Sequence, residues 1–244
     1  VLAESVGGYL RYAEKYLTNF GILLATSTIP STKLATTIFH PQQRQPWEIY
    51  VNTSGKRFVR EDVPSVDARE QALHFQPHLR HWVVFDQTVL DKAPPMLEGW
   101  TRDDLVSALK GPDANFFRSE TIQGLAKAIG VPEKALADTV EGYNYGVHTG
   151  NDFFGRKHLP TKLQQAPYYA IQHQGTSITS TAGIAVNEAL QVIRRDKSAI
   201  PNLYAAGEIL GSGATQGQAF CGGMMVTPAL TFGRLLGERM IRLG

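Results

Sequence analysis

The spacing of apolar residues along this 244-residue chain divides it into a short α/β start, a helical middle and a β-rich end closed by a helix. From Leu2 to Leu17, Val6, Leu10, Ala13 and Leu17 recur at helical spacing, although Gly7-Gly8 interrupts the run. Phe20 to Ile29 is a largely apolar segment closed by Pro30-Ser31, the pattern of a buried strand. Trp47–Asn52 and Arg57–Val59 flank Asn52-Thr-Ser-Gly55, which predicts a hairpin with glycine where a positive φ is easiest. His81–Asp86 reads as another short strand. Thr101 and Asp104 have the spacing of a capping box and open a predicted helix from Arg102 to Leu109. Thr121–Ile129 and Glu133–Tyr143 follow as helices joined by Gly130-Val-Pro132. After a polar loop at 150–160, short β segments return at Tyr168–Gln172, Ser177–Thr181, Ile184–Asn187, Gln191–Arg194 and Leu203–Ala206. A helix from Pro228 to Leu243, N-capped by Thr227, closes the chain, with Phe232, Leu235, Leu236, Met240 and Leu243 as its core stripe. The fold class is α+β.

Composition narrows the function classes. The chain is 43% hydrophobic and 19% charged with a net charge of +2, so no Lys/Arg run points to nucleic acid or an anionic membrane. A single cysteine, Cys221, excludes an internal disulfide framework and fits a reducing, cytoplasmic setting. No apolar run approaches the roughly 18–20 residues of a transmembrane helix. Val1-Leu-Ala-Glu has neither the basic nor the apolar region of a signal peptide.

Several motifs invite a chemical reading. Gly211-Ser-Gly213-Ala-Thr-Gln-Gly217 is spaced G-x-G-x-x-x-G and lacks both a following apolar-faced helix and a downstream acidic residue. A loop beside a bound ligand suits it better than an independent nucleotide fold. His74, His78 and His81 have metal-ligand spacing, but Pro77 breaks the helix that would align them, so no metal site is expected. Helices 121–129 and 133–143 could form a helix-turn-helix, yet the second carries Glu133, Asp138 and Glu141, the wrong sign for a major groove. Gly222-Gly-Met-Met-Val-Thr-Pro228 is a glycine approach to a helix start. It could cap a core helix, or it could hold the negative N1–C2=O edge of a reduced flavin on free backbone N–H groups. Ala205-Ala-Gly207-Glu208 upstream favours the second, since a carboxylate on a tight turn after a strand suits ribose hydroxyls.

Thr179-Ser-Thr-Ala-Gly183, Ala205-Ala-Gly207-Glu208 and Gly222-Gly223, in that order and spacing, resemble the C-terminal end of the fumarate reductase/succinate dehydrogenase flavoprotein family, which includes tricarballylate- and 3-ketosteroid-dehydrogenase-like members. Phe39-His40-Pro41 resembles the family's His-Pro-Thr at the substrate cleft, and Val51–Glu61 its Val-Asn-x-x-Gly-x-Arg-Phe-x-x-Glu hairpin. The resemblance implies cofactor contacts at Thr179, Gly183, Gly207, Glu208, Gly222, Gly223, Met225 and Val226. Thr179 stands where the family has a flavin-contacting histidine, and Glu208 matches the ribose carboxylate. It also implies a mixed α/β capping (substrate) domain at 31–167, inserted into a partial FAD-binding domain formed by 1–30 and 168–244. The N-terminal G-x-G-x-x-G that holds the pyrophosphate is missing.

The family's proton-delivering arginine is Ser65 here, with Arg69 one helical turn further on; its substrate histidine and arginine are Ile178 and Phe220. Arg44 keeps the position of the relay arginine. With those cations gone, a small-molecule substrate other than fumarate is expected. Catalytic candidates are His40, Arg44 and Tyr143. The implied reaction moves a hydride between flavin and a carbon–carbon bond next to a carbonyl or carboxyl group. FAD is expected in a full-length parent and absent from this fragment, with the missing N-terminal FAD-binding half as its partner. Alternatives are a non-catalytic binding member of the scaffold and an isolated capping module without flavin.

Overall fold

A computed structural model describes residues 2–111, 114–177, 179–216 and 222–243, without side-chain detail for 242 and 243. It divides the chain into two units, Val1–Leu17 with Ser177–Gly244, and Thr18–Thr176. The smaller unit begins with α1 (Leu2–Ser5) and β1 (Leu10–Arg11). The helix expected to reach Leu17 therefore ends after one turn. Gly7 adopts φ +91°, its N–H donates to Glu4 O, and Gly8 N–H donates to Ala3 O. A Cβ on Gly8 would lie 2.7 Å from Ala3 O, so the glycines allow a close reversal that the apolar spacing conceals.

The larger unit contains β2 (Ile22–Leu24), β3 (Lys33–Thr36), β4 (Ile49–Asn52), α2 (Val66–His74), β5 (Arg80–Asp86), α3 (Gln87–Lys92), α4 (Arg102–Lys110), β6 (Phe116–Ser119), α5 (Ile122–Ile129), α6 (Glu133–Thr149) and β7 (Tyr168–Gln174). Its main sheet has the order β4-β5-β7-β6 and is antiparallel throughout, with Tyr50 opposite Val83 and Val83 opposite Ile171. Six of the seven residues of β5 are buried, as expected of an inner strand covered on both faces. Leu125, Ile129, Leu136 and Val140 from α5 and α6 join Val83, Phe85 and Ile171 in one apolar core. Asp86 fastens the end of β5, accepting from Val89 N at the start of α3 and from Gln164 N and Gln165 N.

Local signals in this unit translate well. Asn52 Oδ1 accepts from Ser54 N and Lys56 N in the hairpin, where Gly55 has φ +73°. Thr101 and Asp104 form the capping box, and Thr121 caps α5. Replacing Thr101 by Ala should cost about 1 kcal/mol in urea unfolding; no change would mean that Asp104 alone serves the cap. The helix α6 runs six residues beyond Tyr143, to a left-handed Gly150.

The domain boundaries need correction. Strand β7 is the inner neighbour of β5 and β6, and β2 packs on β7, so residues 168–176 and 18–30 belong to the larger unit. Register along the whole of β5 fixes this, and no local spacing encodes it.

The chain re-enters the smaller unit with β8 (Gly183–Ile184), β9 (Gln191–Ile193), β10 (Ala199–Tyr204) and α7 (Val226–Leu243). Strand β8 pairs with β1, and β9 with β10, while Ser177–Thr181 forms no strand among its described residues. Ala3, Ile184, Val192, Ile200 and Ala205 make the small core. The expected core stripe of α7 is largely uncovered: Leu235 is 46% and Met240 41% exposed, and Phe232 and Leu236 are half-buried. Leu243 lies outside the residues whose side chains are described. Val226, Leu230 and Ile241 are exposed as well, so most of the described apolar surface of this helix lacks cover.

Candidate functional site

In the smaller unit the site is built on close backbone approaches. After β10 the chain reverses at Gly207 (φ +85°), makes a short 3-10 turn over Glu208–Leu210, and reverses again at Gly211 (φ +72°). Ser212 N donates to Ser180 O and Gly213 N to Thr181 O, which holds this turn against the segment leading into β8. A Cβ on Gly183 would fall 1.8 Å from the Leu210 carbonyl, and one on Gly211 would fall 2.4 Å from Thr181 O. Only glycine allows that approach. Gly183 thus shapes the turn from behind.

A cavity of about 380 Å³ opens over the turn, within the range of small-molecule sites. Gly207, Glu208 and Met225, three of the residues expected to touch a cofactor, line it together. A Cβ on Gly207 would meet no atom within 4 Å, so the backbone there is open to a ligand. Glu208 is exposed, and its carboxylate has no ion-pair partner among the described residues. Met224, Met225 and Pro228 bring the start of α7 to the same wall. That helix begins at Val226, two residues before the expected Pro228; Thr227 N donates to Gly223 O and Ala229 N to Met225 O, so the turn leading into the helix takes up two of its first donors. Gly222, Gly223 and Val226 precede or begin α7 without lining the cavity, and half-buried Thr179 does not line it either.

His40, Arg44 and Tyr143 all lie in the larger unit. His40 is half-buried, its ring stacked on Phe39 at 4.6 Å. Arg44 sits one turn further on, its N–H donating to His40 O. Its side chain is fully engaged: Nη1 and Nη2 donate to the two Glu48 oxygens at 2.9 Å each, and Nε donates to Pro94 O. Burial works against both charges, but each holds the other ionised, so Arg44 is pushed up and Glu48 down. Tyr143 is buried on α6, its hydroxyl donates to Thr161 O, and burial pushes it up to about 12. Among the described residues no hydrogen bond or ring contact joins Tyr143 to His40. The Arg-Phe hairpin supplies Arg57, whose partners are Glu61 and Asp152; Arg156 reaches Glu61 and the carbonyls of Glu48, Pro46 and His158. Arg57 and Arg156 both lie over the Tyr143 ring.

Sequence reasoning missed this buried network. Its signal was the recurring spacing of opposite charges four apart, Arg44/Glu48, Arg57/Glu61 and Asp152/Arg156, outside any helix. Of the family substitutions, Ser65 caps α2, while Ile178 and Phe220 lie outside the described residues. His74, His78 and His81 are separated in α2, a 3-10 turn and β5. Among the described residues no group of three His, Cys, Asp or Glu side chains could hold a metal ion, and no helix is long and apolar enough to cross a membrane.

Comparison with known proteins bears on the whole arrangement. Residues 16–224 match the family model described as FAD binding domain. A probable fumarate reductase, Ifc3, of Shewanella frigidimarina is 30% identical over 191 residues, covering 78% of this chain and 30% of that protein. A 3-oxosteroid 1-dehydrogenase of Mycolicibacterium smegmatis is 26% identical over 220 residues, covering 80% of this chain and 38% of the relative. Among solved structures, the open conformation of a flavocytochrome c3 fumarate reductase superposes with a TM-score of 0.58 at 26% identity, over 96% of this chain and 38% of that one. A 3-ketosteroid Δ1-dehydrogenase of Sterolibacterium denitrificans reaches 0.69 at 20% identity, over 99% of this chain and 46% of the other, a likeness of fold. The chain spans about a third of the length of the curated relatives it matches. It belongs to the FAD binding domain family.

Proposed function

We propose that this chain is part of a longer FAD-dependent oxidoreductase, in which the smaller unit contributes to the FAD-binding domain and the larger unit is the capping domain. The observation that carries this reading is the cavity shared by Gly207, Glu208 and the start of α7. Its residues fit the cofactor: an open glycine backbone, a free carboxylate for sugar hydroxyls and a helix start for the ring edge. FAD, when bound, supplies hydride chemistry toward a carbon–carbon bond beside a carbonyl or carboxyl group. The chain's own part is to hold the sugar and ring edge, and to supply a group that moves a proton.

Of the three capping candidates, His40 suits the proton role, because among the described residues its ring is stacked on Phe39 and hydrogen-bonded to no group. Arg44 is spent on Glu48 and Pro94. The substrate in this reading is a small molecule other than fumarate, in keeping with Ser65 as a helix cap in place of a cation. The uncovered apolar face of α7 is where the remaining FAD-binding half would pack.

The test is the visible spectrum of the purified protein before and after added FAD and desalting. The 244-residue chain should be colourless, since the glycine-rich strand-to-helix turn that holds the pyrophosphate is missing from it. A version extended to include a preceding G-x-G-x-x-G half should retain about one equivalent of flavin. Tight flavin on the chain alone would show that the binding mode is wrong, and none on the extended protein would remove the reading.

A further inference from the structure

Arg11 lines the cavity of the smaller unit and is the only lysine or arginine among its described lining residues. Its position is fixed by β1, where it pairs with Gly183, the residue pressed against the Leu210 carbonyl. Strand pairing therefore brings Arg11 to the 207–211 turn without any contribution from the side chain itself. Arg11 is half-buried and poorly satisfied. Among the described residues its guanidinium makes a long 3.4 Å hydrogen bond to Val186 O and approaches the Tyr12 ring centroid at 5.9 Å, with no carboxylate partner.

Glu188 and Glu208, both exposed, also line the cavity, yet neither forms an ion pair with Arg11. A planar cation with free donors suits an anionic oxygen, and free carboxylates suit hydroxyls. Lining one cavity without pairing to each other, the two kinds of group match a ligand that carries both.

We propose that Arg11 is a cofactor-binding residue, whose guanidinium holds an anionic oxygen of the flavin dinucleotide while Glu208 accepts from its sugar hydroxyls. The proposal rests on the FAD reading above. The oxygen belongs to the diphosphate or to the C2 carbonyl edge of the reduced ring, and the two have different signatures. A diphosphate contact strengthens oxidised and reduced cofactor alike. A ring-edge contact strengthens mainly the reduced form.

The experiment compares Arg11→Gln and Arg11→Lys with the unaltered flavoprotein that carries this chain, measuring the FAD dissociation constant, the two-electron midpoint potential and the melting temperature of the apoprotein. Arg11→Gln should weaken FAD about tenfold or more with the potential unchanged, or lower the potential by about 30 mV for each tenfold loss confined to the reduced form. Arg11→Lys should recover part of either effect. Apoprotein melting should stay the same, because the single long bond to Val186 O contributes little. An affinity and potential both unchanged in Arg11→Gln would overturn the proposal and leave the FAD reading intact. A fall in apoprotein melting that accounts for the lost affinity would make Arg11 structural and overturn it as well. Failure of the unaltered flavoprotein to bind FAD would remove both.

Discussion

Replacing Glu61 by Gln should cost the larger unit about 3–5 kcal/mol, a large share of the stability of an ordinary domain. Glu61 is fully buried and accepts from Arg57 Nε at 2.8 Å, Arg57 Nη2 at 2.6 Å and the backbone N–H of Tyr50 at 3.3 Å, with Arg156 Nη1 at 3.4 Å. Arg57 and Arg156 are themselves 8% and 1% exposed, so removing one negative charge strands positive charge away from water. Breaking a buried pair on one side is costly for that reason, whatever the intact pair contributes. The contrast is Lys134 with Asp138, an exposed pair on α6 whose loss should not move the urea midpoint measurably. Urea unfolding of Glu61→Gln beside Lys134→Ala makes the comparison. A loss below about 1 kcal/mol in the first would mean that water reaches the network, since it would then resemble a surface pair.

Stability should rise as pH is raised from about 4 to 6.5, and fall slightly between 6.5 and 7. His81 and His173 are stacked 5.2 Å apart and buried. Burial pushes His173 down to about 4 and His81 well below the usual histidine range, where His173 adds to the effect. Thr37 Oγ1 and Ile171 O flank the His173 nitrogens, while those of His81 have no partner among the described residues. Both rings are neutral in the folded state. Unfolded chains bind protons there below pH 6.5, so the stability is complete above 6.5 and is lost as pH falls toward 4. For His173 alone the interval corresponds to about 3 kcal/mol.

Glu70 has the opposite sign. Burial first, then Asp67, raises it to about 7, against the Phe20 N–H and Arg69. Its contribution is present below about 4.5 and is lost as pH rises through 7. From 4.5 to 6.5 two histidines oppose one carboxyl, so the net slope is positive; above 6.5 only Glu70 acts. Denaturant unfolding between pH 4 and 8 should show a maximum near 6.5. In Glu70→Gln the decline above 6.5 should disappear, and in His81→Phe the acid side should flatten. A profile that is flat from 4 to 6.5 in the unaltered protein would show that the histidine pair takes up protons while folded.

What the sequence determined by itself was everything with a short reach. The capping box at Thr101 and Asp104, the Asn52–Gly55 turn, the helices after Thr121 and Pro132, and the run of β5 all depend on contacts within a few residues, so spacing and residue type suffice. The motif order from Thr179 to Gly223 likewise sufficed to indicate the flavoprotein family. Tertiary structure alone decided the rest. It placed β7 in the larger unit through pairing with strands some ninety and fifty residues upstream. It left α7 uncovered, because an amphipathic stripe encodes a need for a partner and not its presence. It also tied Arg44 to Glu48 and set Arg11 and Glu208 around one cavity. A side chain's role depends on which neighbours compete for its hydrogen bonds and charge, and those neighbours are chosen by the fold.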